Sequence, residues 1–341
     1  MDKGPETDPY KSGPAVPLEK IAGHMPVLPE EDPRLAGFLR KYLRNNSYRM
    51  NEANYYPARL FTEASRWLWD NQDANNFFLV VDSFDPHEPW DPPVYYRKMY
   101  DPDDDVVDVI QSLYGPWRGK LTPRQVKRVQ ANYAGEVTMV DRWLGHFIET
   151  LRLSGRLEDT VVGIISDHGH NVGRDPRDKG LISKQGHPMT RAVADLVTMI
   201  RHPKSEAAGM ECEALAYNFD FTTTLLRLAG IEPHPQMQGI DLWPLVTTGD
   251  KGRDYVSIGW NATVNVIDDE WWYNASIWGE APLLYRVRED PGLQHDMAPE
   301  HPEVCRMMQK RVLADAGGEI PDLLKDFQVE LGCTPFVDES E

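Results

Sequence analysis

Cysteine is scarce: the 341 residues contain three, Cys212, Cys305 and Cys333, and none belongs to a CxxC pair. This excludes a disulfide framework and a zinc knuckle. No apolar run approaches the roughly 18 residues that a membrane span needs, so no membrane association is expected. The opening MDKGPETDPYKSGPAVPLEK lacks the apolar stretch of a secretory signal. A cytoplasmic location follows only if that start is genuine, and the compartment is otherwise left open. Basic charge is in deficit, with 36 Lys and Arg against 54 Asp and Glu and a net charge of −18. That argues against a nucleic-acid partner, whose phosphates demand basic surface. It also disfavours long polyanions, because a polymer feels the whole field while a small anion feels mainly its pocket. Internal repeats and low-complexity blocks are missing too.

What remains is a chain with enough apolar content, 41%, to bury a core. The first thirty residues, rich in proline, glycine and charge, read as extended or mobile. In DPRLAGFLRKYL, Asp32 caps a helix, Pro33 takes its first turn, and Leu35, Phe38, Leu39, Tyr42 and Leu43 share a face. YPARLFTEASRWLWD repeats the pattern behind Pro57. Phe77 to Val81 is an unbroken apolar run, expected of a strand covered on both faces. TPRQ then opens a long helix, with Thr122 as cap, Pro123 in the first turn and Gln125 closing a capping box. Its apolar positions Val126, Val129, Tyr133, Val137, Val140, Leu144, Phe147 and Leu151 step by three or four, and Gly155 ends it.

VVGIIS (161–166) reads as a second doubly covered strand, DLVTMIR (195–201) as a third, and DFTTTLLRLAG as a helix ended by Gly230. Strands alternating with helices imply an α/β fold with a mostly parallel sheet flanked by helices. After about residue 250 the texture changes. YVSIGW, TVNVI, WWYNASIW and LLYRVR read as short antiparallel strands followed by a polar helix at about 301–314. The expected division is residues 1–250 and a C-terminal subdomain, 251–341. The acidic run DPDDDVVD (101–108) lacks the glycine and distal glutamate of a calcium loop and reads as a solvated turn.

Ligands of parallel α/β sheets bind beyond the carboxyl ends of the strands. Two apolar runs here end in chemistry-bearing groups. FFLVVDSFDPHEPWDPP (77–93) delivers Asp85 and His87 into a loop stiffened by proline. Carboxylates on either side favour a charged ring able to donate a proton. VVGIISDHGHN delivers Asp167, His168 and His170, with Gly169 letting the backbone turn. A carboxylate beside an imidazole is a plausible half of a metal site. Alone, the Asp-His-Gly triplet fits a structural turn at least as well.

DSFDPHEPWDPP and VVGIISDHGHNVG, in this order and separated by the long helix, resemble the sulfatase family of the alkaline phosphatase superfamily. YAGEVTMVDRWLG, MIRHP, NFDFTTTLLRLAGIEPHPQMQGIDLWPL and LLYRVREDPGLQHDMAPEHPEV resemble further segments of that family, from about residue 52 to 310. The resemblance implies an alkaline-phosphatase-like fold and metal-dependent hydrolysis of a small anionic sulfate ester. A phosphodiesterase or phosphonate monoester hydrolase on the same scaffold is the alternative. Asp167 and His168 match ligands of a divalent cation, calcium first, magnesium or manganese otherwise. His87 matches the histidine that contacts the sulfate and protonates the leaving oxygen, and Lys184 matches a lysine that grips the sulfate. His187 lies close enough in sequence to reach the same oxygens. A cation, a lysine and a protonated histidine all stabilise the charge that develops on a transferred sulfuryl or phosphoryl group.

Two parts of the family's pattern have no counterpart here. One is the C-x-P-S-R type motif that becomes formylglycine, for which CTPFV at Cys333 is a poor imitation. The other is the aspartate pair that the first strand gives to the metal. The chain is therefore expected to bind metal weakly and to be inactive alone. It would be a non-catalytic remnant, or a piece that needs a missing N-terminal segment or a partner chain.

Overall fold

The computed structural model describes residues 16–111, 114–174, 180–184, 189–260 and 262–322. The chain divides into two compact units, Met1–Glu158 and Asp159–Glu341. The change of texture near residue 250 coincides with the start of a four-stranded sheet inside the second unit.

The first unit is mainly helical. Part of the opening segment is ordered as helix α1 (Leu18–Ala22). Its Ile21 is fully buried and packs with Met25 and with Ala36, Leu39 and Leu43 of α2 (Pro33–Asn45). Residues 1–15 of the stretch expected to be extended or mobile lie outside the described residues; Ile21 and Met25 are packed because they find a helix face to cover. Asp32 caps α2 as expected, its carboxylate accepting the Leu35 N–H at 2.9 Å. Helix α3 (Tyr56–Asp70) buries Phe61, Ala64 and Leu68 against the 31-residue α5 (Pro123–Leu153), with the Phe61 and Phe147 rings 6.2 Å apart. Between them lie a single turn, α4 (Val94–Arg97), and a short strand, β1 (Gly115–Pro116). The capping box of α5 forms as its sequence implies. Its buried face is rotated from the expected one: Val137 is exposed, while Gly135, Glu136 and Met139 are buried. Gly135 is required there, because an added Cβ would come within 3.0 Å of the Arg97 nitrogen and of Pro92.

One expectation for this unit is corrected, and a second in part. Phe77–Val81 is extended but pairs with no strand among the described residues. Phe78 is 83% and Val80 69% exposed, so the run is not covered on both faces. The acidic run is exposed at Asp103, Asp104 and Asp105, as expected of a solvated loop, but not at its first residue. Asp101 is fully buried and accepts from Arg124 Nη1 and Arg128 Nε, both at 2.8 Å, while Arg97 Nη1 donates to its carbonyl at 2.8 Å. Asp104 pairs with Arg97 and Lys98, and Asp105 with Arg124. Arginines of α4 and α5 staple this loop, a pairing that local composition does not reveal.

In the second unit, β2 (Val162–Ile165) pairs antiparallel with β5 (Thr198–Arg201), Val162 opposite Arg201 and Ile165 opposite Thr198. Between them come β3 (Asn171–Val172), β4 (Leu181–Ser183) and a single turn, α6 (Arg191–Ala194). Neither β2 nor β5 is covered on both faces: Ile165 is partly exposed and Met199 is 59% exposed. Each has one strand neighbour among the described residues. Helix α7 (Asn218–Leu228) covers β2 closely, and a Cβ at Gly163 would lie 2.5 Å from the Phe221 ring. After α8 (Trp243–Thr248), strands β6 (Tyr255–Trp260), β7 (Thr263–Asp268), β8 (Trp271–Ser276) and β9 (Leu283–Arg286) form an antiparallel meander in chain order. Helix α9 (Pro302–Asp315) packs on it, with Cys305, Met308 and Val312 buried against Val264, Val266 and Tyr273. Among the described residues no helix is long and apolar enough to cross a membrane.

Removing the Asp101 carboxylate leaves the buried Arg128 guanidinium with only the longer 3.6 Å pairing to Asp108. Asp101→Ala is expected to cost about 3–5 kcal/mol in urea denaturation, and a loss below about 1 kcal/mol would contradict the staple. Burial opposes ionisation of Asp101, but hydrogen bonds from Arg124 and Arg128 outweigh it and hold the carboxyl below the usual carboxylate range. Its contribution is therefore present above the ordinary aspartate value of about 4 and lost as pH falls through the lower folded one.

Candidate functional site

His87 sits on a loop whose backbone is fixed from several sides. Its N–H donates to the Phe84 carbonyl at 3.0 Å, and the Trp90 N–H donates to the Ile110 carbonyl at 2.7 Å. The Trp90 indole N–H closes the loop on the Pro86 carbonyl at 3.0 Å, and the Asp85–Pro86 and Glu88–Pro89 peptide bonds are cis. The imidazole stacks on Phe84 with ring centroids 4.4 Å apart. Its Nδ1 lies 2.7 Å from the Glu88 carbonyl oxygen and 3.4 Å from a Glu88 carboxylate oxygen. A carbonyl only accepts, so Nδ1 carries the hydrogen and chemistry toward an outside group falls to Nε2. Glu88 is itself held by the Tyr114 hydroxyl.

Beneath this loop lies a charged cluster that the sequence reading missed. Arg49 Nη1 donates to both oxygens of Asp91, at 2.9 and 3.2 Å, and the Tyr42 hydroxyl donates to Asp91 at 2.7 Å. The faces of Tyr55 and Tyr56 lie 4.7 and 4.8 Å from the guanidinium. The Asp91 N–H donates to Glu136 Oε1 of α5 at 3.0 Å. Asp85 and Glu136 are buried, and Asp85 Oδ2 and Glu136 Oε2 have no hydrogen-bond partner among the described residues. Burial raises the Asp85 carboxyl to about 7, with Arg49 opposing and Asp91 adding to the rise. Burial, then Asp85 and Asp91, push Glu136 well above the usual carboxylate range. The only sequence signal was an acidic residue between the apolar positions of α5.

In the second unit, β2 leads through Ser166 into Asp167 and His168. Asp167 Oδ1 accepts the His168 N–H at 2.8 Å, and Asp167 Oδ2 lies 3.5 Å from His168 Nε2. The structure thus brings this sequence-identified pair together, with the Asp167 side chain 86% exposed. His168 Nδ1 donates to the Gly169 carbonyl at 2.8 Å, and His170 Nδ1 to the Asn171 carbonyl at 2.7 Å. The turn needs its glycine, because a Cβ at position 169 would lie 2.0 Å from the Ala192 carbonyl oxygen. Asn171 of β3 pairs with Ser183 of β4. Extending that register by one residue sets half-buried Lys184 opposite His170, at the end of the same loop. His187 lies outside the described residues.

Asp167 and His168 are two donors, whereas a calcium-like ion takes six to eight. No group of three or more His, Cys, Asp or Glu side chains among the described residues is placed to hold a metal ion. The pair fits an edge of a cation site and does not make one by itself.

A proline-fixed histidine loop and an Asp-His-Gly turn, separated by a long capped helix, define a hydrolase-type architecture with known relatives. A family model described as Sulfatase matches residues 31–231, a span that takes in both loops, and the chain belongs to the sulfatase family. It is similar to an arylsulfatase of Clostridium perfringens, 26% identical over 224 residues, covering 60% of this chain and 45% of that one. It is also similar to a choline-sulfatase of Rhizobium meliloti, 32% identical over 129 residues, covering 37% and 24%. The chain thus spans less than half the length of these curated relatives. Among solved structures, the phosphonate monoester hydrolase of Agrobacterium radiobacter superposes with a TM-score of 0.63 at 22% identity, over 77% of this chain and 61% of that chain. The fold is that of the alkaline phosphatase superfamily, carrying the C-terminal antiparallel sheet read from the sequence.

Gly169→Ala must displace the turn from the Ala192 carbonyl and is expected to destabilise by about 1–3 kcal/mol in thermal unfolding. Gly145→Ala, where nothing lies within 4 Å of the added carbon, is the control. It lies inside α5 and is expected to be neutral or stabilising by up to about 1 kcal/mol. Equal effects at the two positions would contradict the steric account.

Proposed function

We propose that this chain carries the leaving-group and anion-gripping portion of a sulfatase-type hydrolase acting on a small anionic sulfate ester. The observation that supports this most is the family match across residues 31–231, which includes both loops. In this reading His87 is the general acid. Its Nδ1–H is anchored on the Glu88 carbonyl, and a charged ring donates from Nε2 to the departing ester oxygen. Lys184, with His187, steadies the negative charge on the sulfate oxygens. Asp167 and His168 are two ligands of a divalent cation whose remaining donors are not found among the described residues, and no step depends on that ion. The sequence has no C-x-P-S-R type nucleophile motif, so the nucleophile would come from a further segment or a partner chain. The sulfatase relatives favour sulfate over phosphate or phosphonate esters.

Titration with inorganic sulfate, followed by NMR of the histidine side chains, tests the site without requiring turnover. Sulfate is expected to shift the His87 signals, and Lys184→Ala is expected to weaken binding about tenfold, as for one charge-assisted contact. Unchanged affinity in Lys184→Ala would remove lysine from the site. Calorimetry with calcium is expected to show no micromolar binding by the chain alone, and an aryl sulfate is expected to remain intact. Either micromolar affinity or hydrolysis would overturn the incomplete-site reading.

A further inference from the structure

Asp85 and Glu136 are buried and Asp91 is half-buried beneath the His87 loop; Arg49 pairs directly with Asp91 and acts on the other two through its charge. Three ionised carboxylates against one guanidinium would leave two uncompensated negative charges in a buried site, which is costly unless protons are retained. Within this cluster, Asp85 Oδ2 and Glu136 Oε2 are buried with no partner among the described residues, and a proton can reside there. The cluster also grips the loop mechanically, because Glu136 Oε1 accepts the Asp91 N–H and Arg49 with Tyr42 holds the Asp91 side chain.

We propose that Glu136 is a positioning residue for His87: a proton retained among Asp85, Asp91 and Glu136 keeps the loop locked, and its loss loosens the loop. The relevance of this lock to catalysis rests on the reading of His87 as the acid, but the lock itself does not. The surrounding ionisable groups belong to several elements. Tyr42 faces Asp91 from α2, Tyr55 and Tyr56 face Arg49 from the start of α3, and His24 acts on Asp91 from beyond α1. His87 and Glu88 belong to the loop, with Tyr114 on Glu88.

The direction of the effect follows from the raised carboxyls. A carboxyl lifted to about 7 in the folded chain, as burial lifts Asp85, holds its proton more tightly folded than unfolded. Its stabilising contribution is complete below the unfolded value of about 4 and is lost as pH rises through about 7. Burial raises the Glu136 carboxyl as well, so its contribution is lost in the same direction, as pH rises.

Hydrogen exchange of the full chain tests this at amides already described. In the segment 85–93, the His87, Trp90 and Asp91 N–H groups are bound within the loop, to Ile110 and to Glu136. After correction for intrinsic rates, their protection is expected to fall at least about tenfold from pH 5.5 to 8.5, equivalent to about 1.4 kcal/mol. Glu136→Gln, which keeps an acceptor for Asp91 and cannot ionise, is expected to give a clearly smaller fall than the wild type. If that variant does not fold, Asp85→Asn removes a charge from the same cluster and is expected to reduce the fall likewise. A flat wild-type profile, or a fall in the folded variant equal to the wild type's, overturns the proposal. A flat profile together with sulfate binding at His87 would sink the lock alone. A pH-dependent profile without sulfate binding would sink the hydrolase reading and leave the lock standing.

Discussion

The bond between Arg49 and Asp91 organises the first unit. One guanidinium nitrogen reaches across 42 residues of sequence to both oxygens of a carboxylate, with tyrosines beneath it. Asp91 in turn engages Glu136 through its amide, joining the loop to the long helix. Trp90 and Pro86, one residue from Asp91 and His87 respectively, complete the closure. A histidine on a proline-rich surface loop would ordinarily sample many orientations. Here its backbone inherits rigidity from a buried ion pair and a helix that is itself well capped.

Much of this was legible in the sequence, and the remainder was hidden for identifiable reasons. Thr122 and Gln125 mark the start of α5, and Asp32 that of α2, because caps are local and the residues involved are three apart. The four C-terminal strands were visible because each is short, β-rich and bounded by turns. Asp167 and His168 were legible as a pair because adjacency in the chain produces their contact. Glu136 was not, because reading α5 by apolar spacing placed Val137 in the core and left the neighbouring acid outside. The Asp101 staple escaped similarly, since its partners lie 23 and 27 residues away. The burial of Phe77–Val81 was overstated because a strand's coverage depends on neighbours that its own sequence does not contain.

The chemistry available divides along the chain. The first unit contributes an imidazole of defined tautomer on a fixed loop. The second contributes an exposed carboxylate–imidazole pair and, through the register of β3 with β4, a lysine at the same loop. In the proposed reading such groups neutralise charge on a leaving oxygen and on a tetrahedral anion. The acid excess of the chain as a whole, −18, means that under this proposal a small anion would be selected by its pocket and not by the overall field.

The central claim is that the buried Arg49–Asp91 contact fixes the His87 loop, and a double-mutant cycle measures it most directly. Arg49→Gln, Asp91→Asn and the double variant would be compared with the wild type by denaturant unfolding. A coupling energy of about 1.5–3 kcal/mol between the two positions is expected. Effects that simply add, with coupling near zero, would contradict it.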